Sequence, residues 1–151
     1  MNKLLAIGLL AFTLVGCQNV VLLETIKSNN DVPTAVSKLL NILNNKGLSH
    51  FATIDHKANA ENIGLELNPD TVVIFGNPKV GTLLMQCNPS LGIDLPLRIL
   101  FKTDDAGETT ISYFDPRLWK AKHNIRDERC LTILSNTQKA LENMTKTIAK
   151  Q

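Results

Sequence analysis

Cysteine is scarce in this sequence: only Cys17, Cys87 and Cys130 occur in 151 residues, and no two of them form CxxC or CxxCH. That excludes a disulfide-built scaffold and the commonest cysteine-based haem and metal motifs. An excess of charge of one sign is also missing. Sixteen Lys and Arg stand against fourteen Asp and Glu, so the concentrated positive surface that grips a phosphate backbone is absent and nucleic acid is not expected as a partner. Neither GxGxxG nor a Gly-Lys-Ser/Thr ending is present, which removes the nucleotide-binding loops. Ser49, Ser90 and Ser112 have no nucleophile-elbow setting. There is no internal repeat and no low-complexity tract.

What is there begins at the N-terminus. Lys3 precedes an apolar run from Leu4 to Leu14, interrupted only by Gly8 and Thr13, and then come Val15, Gly16 and Cys17. The run is too short to cross a bilayer and has the layout of an export signal. Leu14, Val15, Gly16 and Cys17 resemble the bacterial lipobox, which implies a diacylglycerol thioether on Cys17 and cleavage in front of it. Residues 1–16 are then a signal peptide, residues 17–19 a lipidated tether, and residues 20–151 one domain. The membrane lipid on acylated Cys17 is the first expected partner, since several chains on one residue hold a protein firmly where one does not. The expected location is the outer face of a bacterial membrane, and Gln18 after the cysteine points to the outer membrane in a diderm cell. Cys87 and Cys130 can pair in an oxidising compartment but read first as two separate buried thiols.

Along the domain, strand-like residues run from Val20 to Ile26. Asn30 or Asp31 can cap a helix with Pro33 in its first turn and Val32, Val36, Leu39, Leu40 and Leu43 at helical spacing, ended by Gly47. His50–Asp55, Thr71–Phe75, Leu97–Lys102 and Thr109–Phe114 read as strands, the last two joined as a hairpin. A short helix fits within Lys57–Gly64, one or two helical turns within Lys79–Pro96, and another short helix within Pro116–Lys122. The last element is a long helix with Cys130, Ile133 or Leu134, Thr137, Leu141, Met144 and Ile148 on one face. The expected class is α+β: two layers, a mainly antiparallel sheet covered by two principal helices, in the order β-α-β(3 to 4)-α.

Several of these residues also carry a likeness. Ile54-Asp55-His56, Gly64-Leu65, Ile74-Phe75-Gly76-Asn77-Pro78-Lys79, Gly81, Thr82, Met85, Asp94-Leu95-Pro96-Leu97-Arg98 and Asp115-Pro116 resemble the family catalogued as domain of unknown function 302. The likeness is strongest over about residues 50–116. It implies a small α+β fold, a homodimer and no settled activity.

The candidate ligand-binding residues are His56, Asn77, Lys79, Met85, Asp94 and Arg98. Asp55 and His56 are neighbours on a strand end, where successive side chains point apart, so they do not make an orienter–base pair. Asn77 suits a tight turn as well as a ligand contact. Lys79 can attract an anion. Arg98 can pair with Asp94 or Asp115, or offer a two-pronged contact to an anion. Met85, Cys87 and His56 are soft donors without a regular ligand spacing, so no metal or catalytic residue is assigned and no cofactor is named. The expected function is a membrane-tethered, non-enzymatic domain that binds a small ligand or an envelope protein. The alternatives are a small hydrolytic or redox accessory enzyme using His56 and Cys87, and a purely structural envelope lipoprotein.

Overall fold

Short runs of β-branched and aromatic residues alternate with one-faced helical segments, and the chain obeys that pattern closely. A computed structural model describes residues 23–150, so Cys17, its signal and the start of the first expected strand lie outside the described residues. The elements are β1 (Leu23–Lys27), α1 (Val32–Asn45), β2 (Ser49–Asp55), α2 (His56–Glu61), β3 (Asp70–Gly76), α3 (Pro78–Cys87), β4 (Leu97–Thr103), β5 (Thr109–Phe114), α4 (Trp119–Lys122) and α5 (Glu128–Ala149), with 3-10 turns at Pro89–Ile93 and Pro116–Leu118. None of the described helices is long and apolar enough to cross a membrane.

The five strands form one antiparallel sheet in the order β1-β5-β4-β3-β2. Period-two alternation sends Val73, Phe75, Ile99, Phe101, Ile111 and Tyr113 to one face. There they meet Val32, Ala35, Leu39 and Leu43 of α1 and Leu141, Met144, Ile148 and Ala149 of α5 in the larger core. This is the expected two-layer α+β domain.

Helix ends follow local chemistry. The Asp31 carboxylate accepts from Thr34 N at 2.9 Å to open α1, and Gly47, at φ +62°, ends it in the left-handed conformation that glycine alone adopts without penalty. A smaller core of Leu84, Leu91, Trp119, Ile125, Cys130 and Leu134 fills the space between α3, α4 and the start of α5. The helix within Lys79–Pro96 is longer than expected: α3 has ten residues because Asn77 caps it and Pro78 opens it.

One expectation is corrected here. Cys87 and Cys130 are not separate thiols; their sulfurs are bonded, with Cα atoms 6.7 Å apart, and the disulfide ties the end of α3 to the first turn of α5. Forty-three residues separate the two in sequence, so no local spacing announces the pair.

Candidate functional site

The seam where the two cores meet is incompletely filled. A groove of about 610 Å³ runs between α3 and α5, beyond the end of the sheet where β3 stops and β4 begins. Phe75, Leu141 and Met144 reach it from the larger core and Leu84 and Trp119 from the smaller. Met85, Leu95, Pro96 and Phe51 complete the apolar wall, while Asn77, Thr82, Asn136 and Thr137 supply the polar groups. A concave, mostly apolar space of this size with a few convergent polar side chains is the ordinary form of a small-molecule site.

Local sequence explains how the groove is built. The register of β2 slips between His50 and Ala52, and Phe51, half-exposed at 52%, lines the groove. Asn77 Oδ1 accepts from Lys79 N at 3.0 Å and Val80 N at 3.3 Å, fixing the direction in which α3 leaves the sheet. Such a cap contributes about 1 kcal/mol. Gly92 stands where a Cβ would come within 3.5 Å of the Met85 sulfur.

A polar network braces the connection from α3 to β4. His123, buried, meets Asp94 Oδ2 through Nε2 at 2.5 Å and the Ser90 hydroxyl through Nδ1 at 2.6 Å. Lys122 Nζ donates to Asp94 Oδ1 at 2.7 Å, and Asn88 Nδ2 donates to the His123 carbonyl at 2.8 Å. In outline Ser90, His123 and Asp94 copy the nucleophile, base and orienter order of a hydrolase. The neighbouring amides are occupied, however: Ser90 N donates to Asn88 Oδ1 and Leu91 N to the Asn88 carbonyl, so they are not free to cradle an oxyanion. The network is a brace between the 3-10 turn and α4.

Burial by itself pushes the Asp94 carboxyl up, but hydrogen bonds from Lys122 and His123 outweigh it and hold it below the ordinary 3.8. An acid held below its unfolded-state value contributes stability that is fully present above that value and is lost as pH falls through the folded one. The stability of the wild-type chain is therefore expected to drop more steeply below about pH 4 than that of Asp94→Asn. Denaturant midpoints measured from pH 6 down to pH 2 check this, and parallel curves for the two proteins would refute it.

Of the six candidate ligand-binding residues, two line the groove and four do not. Asn77 and Met85 line it. Lys79 is exposed on the first turn of α3, and Asp94 is engaged in the brace. Arg98 does not pair with either expected carboxylate: its Nη2 reaches only the Asp94 carbonyl, at 3.4 Å, and Asp115 is taken by Arg117. His56 is not at the groove. It starts α2 at the end of β2 where Asp55 faces Thr71, whereas the groove adjoins the other end, where Ser49 faces Gly76. The turn after β2 is fixed by Asp55, whose carboxylate accepts from Ala58 N at 2.9 Å.

Gln138, and Asp127 beside the two cysteines, carry no signal in their local sequence. Gln138 is buried in α5, donating to Tyr113 Oη at 3.2 Å, while its Oε1 has no partner. It borders a second, more polar pocket of about 340 Å³ with Arg117 and Lys146. The sulfurs of Cys87 and Cys130 and a carboxylate oxygen of Asp127 lie within 4.8 Å of one another. With the sulfurs bonded, Asp127 acts as the cap of α5, accepting from Cys130 N at 3.1 Å; only an opened disulfide would leave thiolates for a soft cation.

A family model described as "Domain of unknown function DUF302" matches residues 24–149. The chain belongs to the DUF302 family. Its fold is similar to that of an uncharacterized conserved DUF302 protein from Bacillus stearothermophilus, whose crystal structure superposes with a TM-score of 0.73 over 83% of this chain and 97% of that one, at 17% identity. By sequence, this DUF302 chain is 34% identical over 103 residues to "Fluoride-specific ion channel FluC 1" of Brucella suis biovar 1 (strain 1330), a match covering 68% of this chain and 41% of that one. "Fluoride-specific ion channel FluC 2" of Brucella melitensis biotype 1 matches at the same identity over 38% of its length. The DUF302 chain thus spans about two fifths of the length of these curated relatives.

Proposed function

We propose that this DUF302 protein is a lipid-anchored domain of the bacterial cell envelope that binds a small apolar ligand in the groove between α3 and α5 and catalyses nothing. The single observation that carries the reading is the groove: about 610 Å³, apolar on most of its wall, at the seam of two cores. Apolar walls that face water are favourably covered by an apolar ligand of matching shape. The lipobox-like Leu14-Val15-Gly16-Cys17 supports the anchor. The Brucella relatives, named as ion channels, support a place beside a membrane; conduction itself is not carried over from a match to two fifths of those chains.

The alternative of a small hydrolytic or redox accessory enzyme using His56 and Cys87 draws less support: Cys87 is bonded to Cys130, and His56 follows the end of β2 opposite the groove. A purely structural role leaves the groove unused.

The test exploits the single tryptophan. Trp119 lines the groove and is only 7% exposed, so its emission reports occupancy. Titration of the chain beginning at Gln18 with a medium-chain fatty acid is expected to shift Trp119 emission saturably. Ala140→Phe, which fills the groove from an exposed position on α5, is expected to abolish the shift and leave the thermal midpoint within a few degrees. No saturable shift with fatty acid, together with no retained small molecule in native mass spectrometry of protein from its own host, would sink the proposal.

A further inference from the structure

The antiparallel registers sort the molecule into two poles. Leu23 faces Phe114, Phe75 faces Leu97 and Ser49 faces Gly76, so the chain enters β1 at the same end of the sheet that the groove adjoins. Cys17 precedes Leu23 by six residues, which limits the distance between them to about 20 Å. An anchor on Cys17 therefore holds the groove end towards the bilayer.

Exposed side chains follow the same polarity. Leu23, Phe51 and Phe114 are large exposed apolar residues at the groove pole, and Met85 and Ile93 are two more, on the groove wall and next to Gly92. Exposed apolar clusters of this kind mark surfaces that meet protein or lipid. The cations Lys79 and Arg98 are exposed beside them. At the opposite pole α2, the start of β3, the connection between them and the β4–β5 hairpin carry Glu61, Glu66, Asp70, Asp104, Asp105 and Glu108 against Lys27, Lys57 and Lys102, and Glu61 and Glu108 are paired with Lys57 and Lys27, which leaves the pole acidic on balance. Ile63, Leu65 and Leu67 are exposed there too, but among those acids, which an anionic membrane surface repels.

We infer that the groove pole rests on the bilayer and that the groove takes up an acyl chain of a membrane phospholipid. The inference rests on the ligand-binding reading of the groove and names its ligand. An acyl chain is unbranched and apolar, fits a slot between two helices, and can enter from the bilayer without its tail crossing water. Lys79 and Arg98 stand where a phosphate headgroup would remain outside.

The full lipidated chain, and the chain beginning at Gln18, are to be mixed with phosphatidylglycerol–phosphatidylcholine vesicles whose acyl chains carry bromine, a contact quencher of tryptophan. All described elements and both cores lie within residues 23–149, so the shorter chain keeps them. The expected result is loss of Trp119 emission in both forms relative to unbrominated vesicles. Ala140→Phe is expected to prevent that loss while still co-sedimenting with the vesicles. Unquenched emission in both forms overturns the inference; if the fatty-acid titration still succeeds, the ligand-binding reading stands without it. Quenching of the shorter chain alone assigns the groove to the protein's own anchor, and an emission change that follows protein concentration without vesicles assigns it to a second copy. Either result also overturns the inference.

Discussion

Opening the Cys87–Cys130 bridge is expected to cost about 4 kcal/mol of folding stability. The loop it closes spans 43 residues, and cross-linking a loop of that length removes roughly that much free energy from the unfolded ensemble in the chain-entropy account. For a domain of this size the loss corresponds to a fall in Tm of roughly 10–20 °C. Thermal unfolding with and without a dithiol reductant measures it, and Cys87→Ser/Cys130→Ser separates the bond from side reactions of the reductant. A second consequence is local. The bridge joins the two helices that wall the groove, so the reduced protein is expected to bind fatty acid more weakly even well below its melting temperature. If reductant moves neither Tm nor affinity, the two cysteines are not bonded in the folded protein.

Phe75→Ala is expected to destabilise by about 3–5 kcal/mol, the usual cost of removing a fully buried phenyl ring. Phe101 is equally buried in the same core, so Phe101→Ala is expected to cost a similar amount. The two part company at the groove, which Phe75 lines and Phe101 does not. Truncating Phe75 enlarges the slot, and a bulkier apolar ligand can occupy the lost volume. Added ligand stabilises whatever state binds it, so saturating fatty acid is expected to restore part of the Tm lost in Phe75→Ala beyond any gain in Phe101→Ala. Equal recovery in the two variants would show that the groove is not where the ligand sits.

Much of the architecture is legible in the residues themselves. Thr71–Phe75, Leu97–Lys102 and Thr109–Phe114 are β-branched and aromatic runs bounded by turn formers, and each is a strand because such runs suit a pleated, half-buried surface. Asp31, Pro33 and Gly47 write the start and stop of α1 in local chemistry. The groove is only half legible. Asn77, Met85 and the segment after Asp94 are near one another in sequence and remain near one another in space. His56 was grouped with them because the strand pairing that sends it to the other pole is a long-range fact. The bonds from His123 to Ser90 and Asp94, the Cys87–Cys130 bridge and the Gln138–Tyr113 contact join elements that are far apart along the chain. Each connects residue types that are common everywhere, so nothing in their local spacing distinguishes them until the helices are docked.

The position of β1 at the sheet edge beside β5 has a bearing on how the protein comes into being. Thr25 and Ser112 share a hydrogen bond although 87 residues separate them, and the whole of β1 depends on β5 for its backbone partners. A chain synthesised from its N-terminus makes β1 early and β5, its only neighbour among the described strands, late. The first strand must therefore wait, unpaired, until Thr109–Phe114 has emerged, and the loop it finally closes is long enough to make that step slow relative to the hairpin of β4 and β5. Assembly is thus expected to run outward from the middle of the sequence, with β1 the last described strand to lock.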